Sequence, residues 1–146
     1  RVLKSNGKAI FLGILAGCVS CMAVIVGLAA AFSLSQELTA SILPKSITTA
    51  IAIGVSEEIG GMSSITVVCV VFTGIFGACT SSALFKLFKI EEPVAQGLAA
   101  GTAAHAIGTS RALEIGEVQG AMSSLAIAIA GIATVIIAPI VMGMIA

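Results

Sequence analysis

The sequence predicts an all-α integral membrane protein with three full transmembrane helices plus two re-entrant or broken helical segments, arranged as an inverted repeat. Three observations carry that expectation. Hydrophobic residues make up 58% of the 146 and charged residues only 10%, with mean hydropathy +1.18; a water-soluble domain of this length needs far more charge to cover its surface. Three apolar runs, residues 9–34, 62–85 and 118–146, each reach the roughly 20 residues that a bilayer crossing takes. Two further stretches read as copies. Ala52-Ile53-Gly54-Val55-Ser56 precedes Met62-Ser63-Ser64 and an apolar run, and Ala106-Ile107-Gly108-Thr109-Ser110 precedes Met122-Ser123-Ser124 and another. A short, glycine-interrupted segment before a full span is the pattern of discontinuous helices that meet at a transport site.

In chain order, residues 1–146 read as one transmembrane domain. The run 9–34 follows Arg1, Lys4 and Lys8 and is too long for the apolar region of a signal peptide, so it is expected to be a true span. Residues 42–61 form the first broken segment: Ser46 to Ser56 offers eleven uncharged residues, about 17 Å as a helix against a hydrocarbon core of roughly 30 Å. Residues 62–85 are the second span. Residues 93–117 form the second broken segment, interrupted by Gly97, Gly101 and Gly108, and 118–146 is the last span. If both broken segments dip and return, Arg1, Lys4 and Lys8 share a side with Lys86 and Lys89, and Lys45 alone occupies the opposite loops. The positive-inside rule prefers that arrangement over two full crossings.

Net charge is zero and aspartate, tryptophan and tyrosine are absent, so no basic face for nucleic acid exists. No GxxxxGK[ST], HExxH or GxSxG motif occurs, and one histidine without aspartate gives little acid–base apparatus, so an enzyme is not expected. Cys18, Cys21, Cys69 and Cys79 lie in apolar runs and read as thiols packed between helices. No metal or other cofactor is expected.

Ionisable and polar groups at membrane depth are functional candidates by default. Thr102, His105 and Thr109 fall at helical spacing, with Arg111 close behind; Ser46, Thr49 and Ser56 make a comparable stripe after Pro44-Lys45. Facing each other, these stripes would offer hydroxyls, an imidazole, a guanidinium and helix termini, a set that favours a small carboxylate. Arg111 either pairs that anion or snorkels to the aqueous interface. His105, with an ordinary pKa near 6.5, is the residue expected to couple flux to protons, or else a neutral hydrogen-bond donor.

The residues also resemble a known family. Ser41-Ile42-Leu43-Pro44-Lys45-Ser46-Ile47-Thr48-Thr49 is similar to the LPKSVTT signature of the LrgB/CidB membrane proteins. The stretch from Gly97 to Ala112 resembles their GLAxGTASHAIGTARA signature, and Gln119 to Ala126 their EGAFSSLA stretch, with Gly131-Ile132 and Pro139 continuing the pattern. The chain departs by having Ala50 where the family usually has proline and Ala104 where serine is common. Family members extend further at the N-terminus, so the chain resembles their C-terminal part.

That resemblance implies transport of small monocarboxylates of the pyruvate, glycolate or glycerate class by alternating access. The polar stripes themselves favour transport, with Arg111 pairing the carboxylate, Thr48, Thr49, Thr102, His105 and Thr109 orienting it, and Lys45, Ser46 and Ser56 in the same polar set. The alternative the resemblance implies is a holin- or antiholin-like protein that regulates murein hydrolase activity and cell lysis with a small LrgA/CidA-type membrane partner. Either reading expects a homo-oligomer among membrane lipid, in the bacterial cytoplasmic membrane.

Overall fold

The computed structural model describes residues 2–145, with side chains from Asn6 onward; Arg1 and Ala146, which the topology and last-span expectations include, lie outside the described residues. Six helices follow in order: α1 Val2–Ala31, α2 Gln36–Ile42, α3 Thr49–Glu58, α4 Ser63–Leu87, α5 Pro93–Ile115 and α6 Glu117–Ile145. Among the described residues there is no strand.

Among the described residues three helices are long and apolar enough to cross a membrane: 26 residues of α1 from Asn6, the 25 of α4 and the 29 of α6. At 1.5 Å per residue each exceeds the roughly 30 Å hydrocarbon thickness. Their outward faces carry bulky side chains, among them Leu12, Val24, Phe72, Ile132 and Ile136. Their inward faces carry small residues and hydroxyls, among them Thr66, Gly74, Ser123, Ala126, Ala130 and Thr134. Small residues inside let helix backbones approach where lipid removes the hydrophobic drive to associate.

The first span ends at Ala31 rather than residue 34. Ser33 takes a left-handed backbone (φ 52°), Leu34 N–H donates to the Ala29 carbonyl at 2.9 Å and Ser33 N–H to that of Ala30. These two bonds close the orphan carbonyls at the helix end. The same device ends α3, where Gly60 (φ 83°) supplies the turn, and α4, where Lys89 (φ 53°) does. Helix α2 was not expected from the hydrophobic pattern, because it carries Gln36, Glu37, Thr39 and Ser41. Its signal is local: the Ser35 side chain accepts from Leu38 N–H and caps it.

Each broken segment enters and leaves at one end of the bundle. Gln36 and Glu37 of α2 border the same cleft as Glu58, Ile59 and Gly60 after α3, alongside Met142 of α6. The chain therefore goes in through α2, turns at residues 43–48 and returns through α3. Helix α5 does the same from the other end. It is interrupted at Ala104 (φ −130°, ψ 17°) and His105 (φ 42°, ψ −135°), and a Cβ at Gly108 would lie 2.6 Å from the Ala100 carbonyl. Residues 106–115 thus fold back on 93–103, and Ile115 borders one cleft with Lys86, Lys89 and Gln96. Residues 36–87 and 93–145 are two hairpin-plus-span units that run in opposite senses.

The proline of the family signature is not what breaks the first hairpin. Thr48 stands in extended conformation (φ −55°, ψ 132°) as the N-cap of α3, and Ala50 sits inside the first helical turn. Lys45 is also displaced from expectation. The sequence reading puts it in an outer loop, whereas the structure places it in the turn between α2 and α3, against Cys21 of α1.

One hydroxyl knot holds the first unit together. Thr66 Oγ1 of α4 is 2.7 Å from Ser56 Oγ of α3 and 2.9 Å from the Ser41 carbonyl of α2. Ser41 Oγ donates to the Glu37 carbonyl at 2.7 Å and accepts from Met62 N–H at 2.7 Å. Gly61 sits in this knot: a Cβ there would lie 2.7 Å from Ser41 N.

Two outcomes are expected. Single cysteines replacing Lys8 and Lys89 in an otherwise cysteine-free protein should react with an impermeant reagent from the same side of a vesicle, and one replacing Gln36 from the other. Labelling of the first two from opposite sides would mean that residues 36–58 cross the membrane. Thr66→Val removes the hydroxyl at the centre of the knot and should destabilise the protein by about 1–3 kcal/mol, read as a lower unfolding midpoint in detergent; an unchanged midpoint would show that the knot is idle.

Candidate functional site

The two hairpin turns converge near the mid-length of α1 and α6. Pro44, Ser46 and Ile47 from the first and Thr102 from the second line a single small cavity, closed by Cys18 and Cys21 of α1 and Thr134 of α6. Its volume is about 10 Å³, room for one water molecule. The surrounding core, Ile14, Cys18, Ile47, Val70, Ala126 and Ala130, is buried from every side. Irregular backbone at this depth is tolerated because protein encloses it.

Lys45 provides the charge here. It is half-buried, with Nζ 3.1 Å from Ser46 Oγ and 3.6 Å from Cys21 Sγ. Cys21 Sγ and Ser46 Oγ are themselves 3.3 Å apart. Among the described residues no carboxylate pairs with Lys45; the ion pair they contain joins Arg111 and Glu114. An ammonium has three donor hydrogens, so these two neutral partners leave one free. The lysine also lies close enough for its charge to act on His105 and Cys69. Immediately after it, α3 starts at Thr48 with no side-chain cap, so the first amides of α3 keep their hydrogen-bonding capacity and their partial positive charge.

His105 forms the second hairpin's break. Its ring Nε2 lies 2.9 Å from the Val70 carbonyl oxygen of α4 and donates to it. A positive φ with this ψ is rare outside glycine and costs on the order of 1–3 kcal/mol, so the surroundings must hold it. They do so from α4: a Cβ at Gly74 would lie 2.7 Å from the ring, and Gly77 leaves room for Ala104. From below, Thr109 Oγ1 donates to the His105 carbonyl at 3.0 Å and accepts from Ser123 Oγ at 2.6 Å.

The expected site residues therefore divide. Ser46 and Thr102 meet at the turns with Lys45 bonded to Ser46, Thr48 and Thr49 start the adjacent helix, and His105 at the break of α5 packs against α4. Thr102 and Thr109 do not share a stripe, because the break at Ala104–His105 turns the second half-helix; Thr109 supports the break from within that half-helix, with Ser123 of α6 behind it. Ser56 belongs to the hydroxyl knot, remote from the turns. Arg111 lies near the end of the bundle, paired with Glu114 at 2.6 Å and donating to Ser82 at 3.1 Å. Cys21 and Thr134 are additions. Both sit inside apolar runs where period alone ranks them as packing residues, and only the placement of Lys45 singles out Cys21. Among the described residues no cluster of three metal-ligating side chains occurs.

Comparison with known proteins fits this architecture. The LrgB-like family matches residues 1–144. The antiholin-like protein LrgB of Bacillus subtilis (strain 168) is 36% identical over 138 residues, covering 94% of this chain and 60% of that protein. The antiholin-like protein LrgB of Bacillus mycoides (strain KBAB4) is 37% identical over 140 residues, covering 96% and 61%, so the chain spans about three fifths of the length of these relatives. No solved structure matches it. With three membrane-length apolar helices and a match along almost its whole length, this chain is an integral membrane protein that belongs to the LrgB-like family.

Proposed function

We propose that the chain serves an antiholin-like role in the bacterial cytoplasmic membrane, and that passage of a small organic anion through its hairpin core is the molecular activity beneath that role. The antiholin-like role rests on the names of the Bacillus relatives. The molecular activity rests on one observation: two hairpins from opposite ends meet at the small cavity lined by Ser46 and Thr102, and Lys45, a cation with only neutral partners, bonds that same Ser46. Charge at this depth is costly unless a partner or water answers it, and a carboxylate supplies that answer. The start of α3 adds amide donors, and Ser46 and Thr102 add hydroxyls. A small monocarboxylate, with one anionic group and a polar α-substituent, fits this donor set. Two hairpins on opposite sides of such a site are the elements that would open it alternately. The water-sized cavity supports reading this state as occluded.

Lys45 replaces Arg111 as the residue assigned to the carboxylate. Arg111 is already neutralised by Glu114 and is assigned to the rim. Assembly with further copies and with an LrgA/CidA-type partner belongs to the same proposal, with the lysine-bearing end facing the cytoplasm.

Uptake of a panel of small labelled acids into vesicles holding the full-length protein tests the activity. Saturable flux is expected. Lys45→Gln should raise the half-saturating concentration about 10- to 100-fold, the loss of one charge-assisted hydrogen bond, while Arg111→Gln should change it less than about threefold, as for an exposed pair. The reverse ranking would return the anion to Arg111, and no flux for any acid would leave lysis control as a non-transport function. Alkylation separates the cases further: a bound acid should slow reaction of Cys21, 3.6 Å from the Lys45 ammonium, and leave Cys79, which faces outward on α4, unaffected. Equal protection of both, or of neither, would count against the site.

A further inference from the structure

Two clefts of similar size open at the two ends of the bundle, and they differ in sign. The cleft beside α3 and α6, about 610 Å³, is bordered by Glu37 and Glu58 and by no lysine or arginine. The cleft between the end of α4 and both ends of α5, about 520 Å³, is bordered by Lys86, Lys89 and Glu91 together with Phe85, Ile90 and Ile115. Neither lysine has an ion pair among the described residues. Ser82, also in the wall, accepts from Arg111 Nη2 at 3.1 Å, which leaves its own hydroxyl hydrogen available to an anion. Two lysines against Glu91 leave a lining charge of +1, the match of one phosphodiester.

Backbone conformation points the same way. Lys89 occupies the left-handed position after α4 (φ 53°), with Ile90 N–H bonded to the Phe85 carbonyl at 2.8 Å. Glycine is the usual residue at such a helix end, because it has no Cβ to strain. Here that position carries a cation that lines the cleft. Helix α1 ends on Ser33 in the same conformation, so the fold accepts the strain elsewhere, and at Lys89 the strained position brings a charge to the lining of a cleft. Leu87 and Phe88 beside it are exposed, which sets the cleft at the boundary between acyl chains and headgroups.

We infer that the α4–α5 cleft is a seat for an anionic phospholipid, with Lys86, Lys89 and the Ser82 hydroxyl on the headgroup phosphate and Phe85 and Ile115 against the first acyl carbons. The apolar part of the lining favours a lipid over a free phosphate, and the inference does not depend on what the hairpin core carries.

The test uses full-length protein in phosphatidylcholine vesicles doped with spin-labelled phosphatidylglycerol or spin-labelled phosphatidylcholine. The fraction of each label immobilised at the protein is measured. Phosphatidylglycerol should be held at least about fivefold more strongly, the worth of one interfacial lysine. Lys86→Gln with Lys89→Gln should bring the ratio near one, and Glu37→Gln with Glu58→Gln should leave it unchanged. Lys89→Gly serves as the second variant: it removes one charge while supplying the residue the backbone prefers, so it should lower lipid preference and raise the unfolding midpoint together. No preference in the wild type, or a preference that survives the lysine variants, would overturn the inference. Soluble glycerol phosphate at fixed ionic strength should fail to displace the label; displacement would assign the cleft to a free anion instead.

Discussion

Backbone amides and carbonyls at membrane depth must be satisfied from within the protein, and the rest of this structure follows from how the two hairpins meet that demand. A hairpin that turns inside a bilayer interrupts its own helical ladder, and lipid offers no replacement partner. The first hairpin answers with Thr66, whose hydroxyl reaches the Ser41 carbonyl and Ser56 from the adjoining span. The second answers with Thr109 on the His105 carbonyl, backed by Ser123. In each case a hydroxyl from the half-helix meets one near the start of the span that follows. Among the described residues no buried side-chain nitrogen or oxygen is left without a partner.

This constraint explains which parts of the fold were legible in the sequence. The three spans depend on length and hydropathy, so the runs beginning at Ala9, Met62 and Val118 mark them to within a few residues. The hairpins were legible as two short polar segments repeating before a span. Their internal geometry was not. Thr102, His105 and Thr109 have the spacing of one helical face, and only the packing of Gly74 and Gly77 against Ala104–His105 turns that face at its middle. Helix α2 escaped notice because hydropathy is silent about a helix that lies against protein and carries Glu37, Thr39 and Ser41.

The candidate site divided for a related reason. Arg111 has the better chemistry for a carboxylate, a planar fork against a point charge, and sequence reasoning ranks it first. The structure places the two residues differently. Residues 106–115 return toward the end from which α5 entered, so Arg111 is carried outward to Glu114 and Ser82. Lys45 is carried inward, because residues 43–48 form the innermost part of their hairpin. Charge is distributed accordingly along the bundle: Glu37, Glu57 and Glu58 gather at one end, Lys86, Lys89 and Arg111 at the other with their own glutamates, and Lys45 between them. An interior cation with an acidic approach on one side gives a permeating anion a barrier and a well in series, which makes orientation part of the proposed activity.

The two hairpins are also unequally held. Gly97 and Gly101 bring α5 so close to α6 that a Cβ at position 101 would sit 2.9 Å from both Ser123 Cα and the Ala126 side chain. Contact at that range is backbone against backbone, and sliding along it meets the ridges of the opposing helix. The inner turn of the first hairpin meets α1 through side chains instead, Lys45 on Cys21 and Ser46 on Cys21, with a cavity beside them. Such contacts exchange by rotation about side-chain bonds, a far smaller barrier than shearing a close-packed helix pair. The Thr66 knot ties both arms of that hairpin, at Ser41 and Ser56, to α4. In the proposed transport the first hairpin would be the lighter gate of the two, because its inner turn meets α1 through side chains, and Lys45 rides on it.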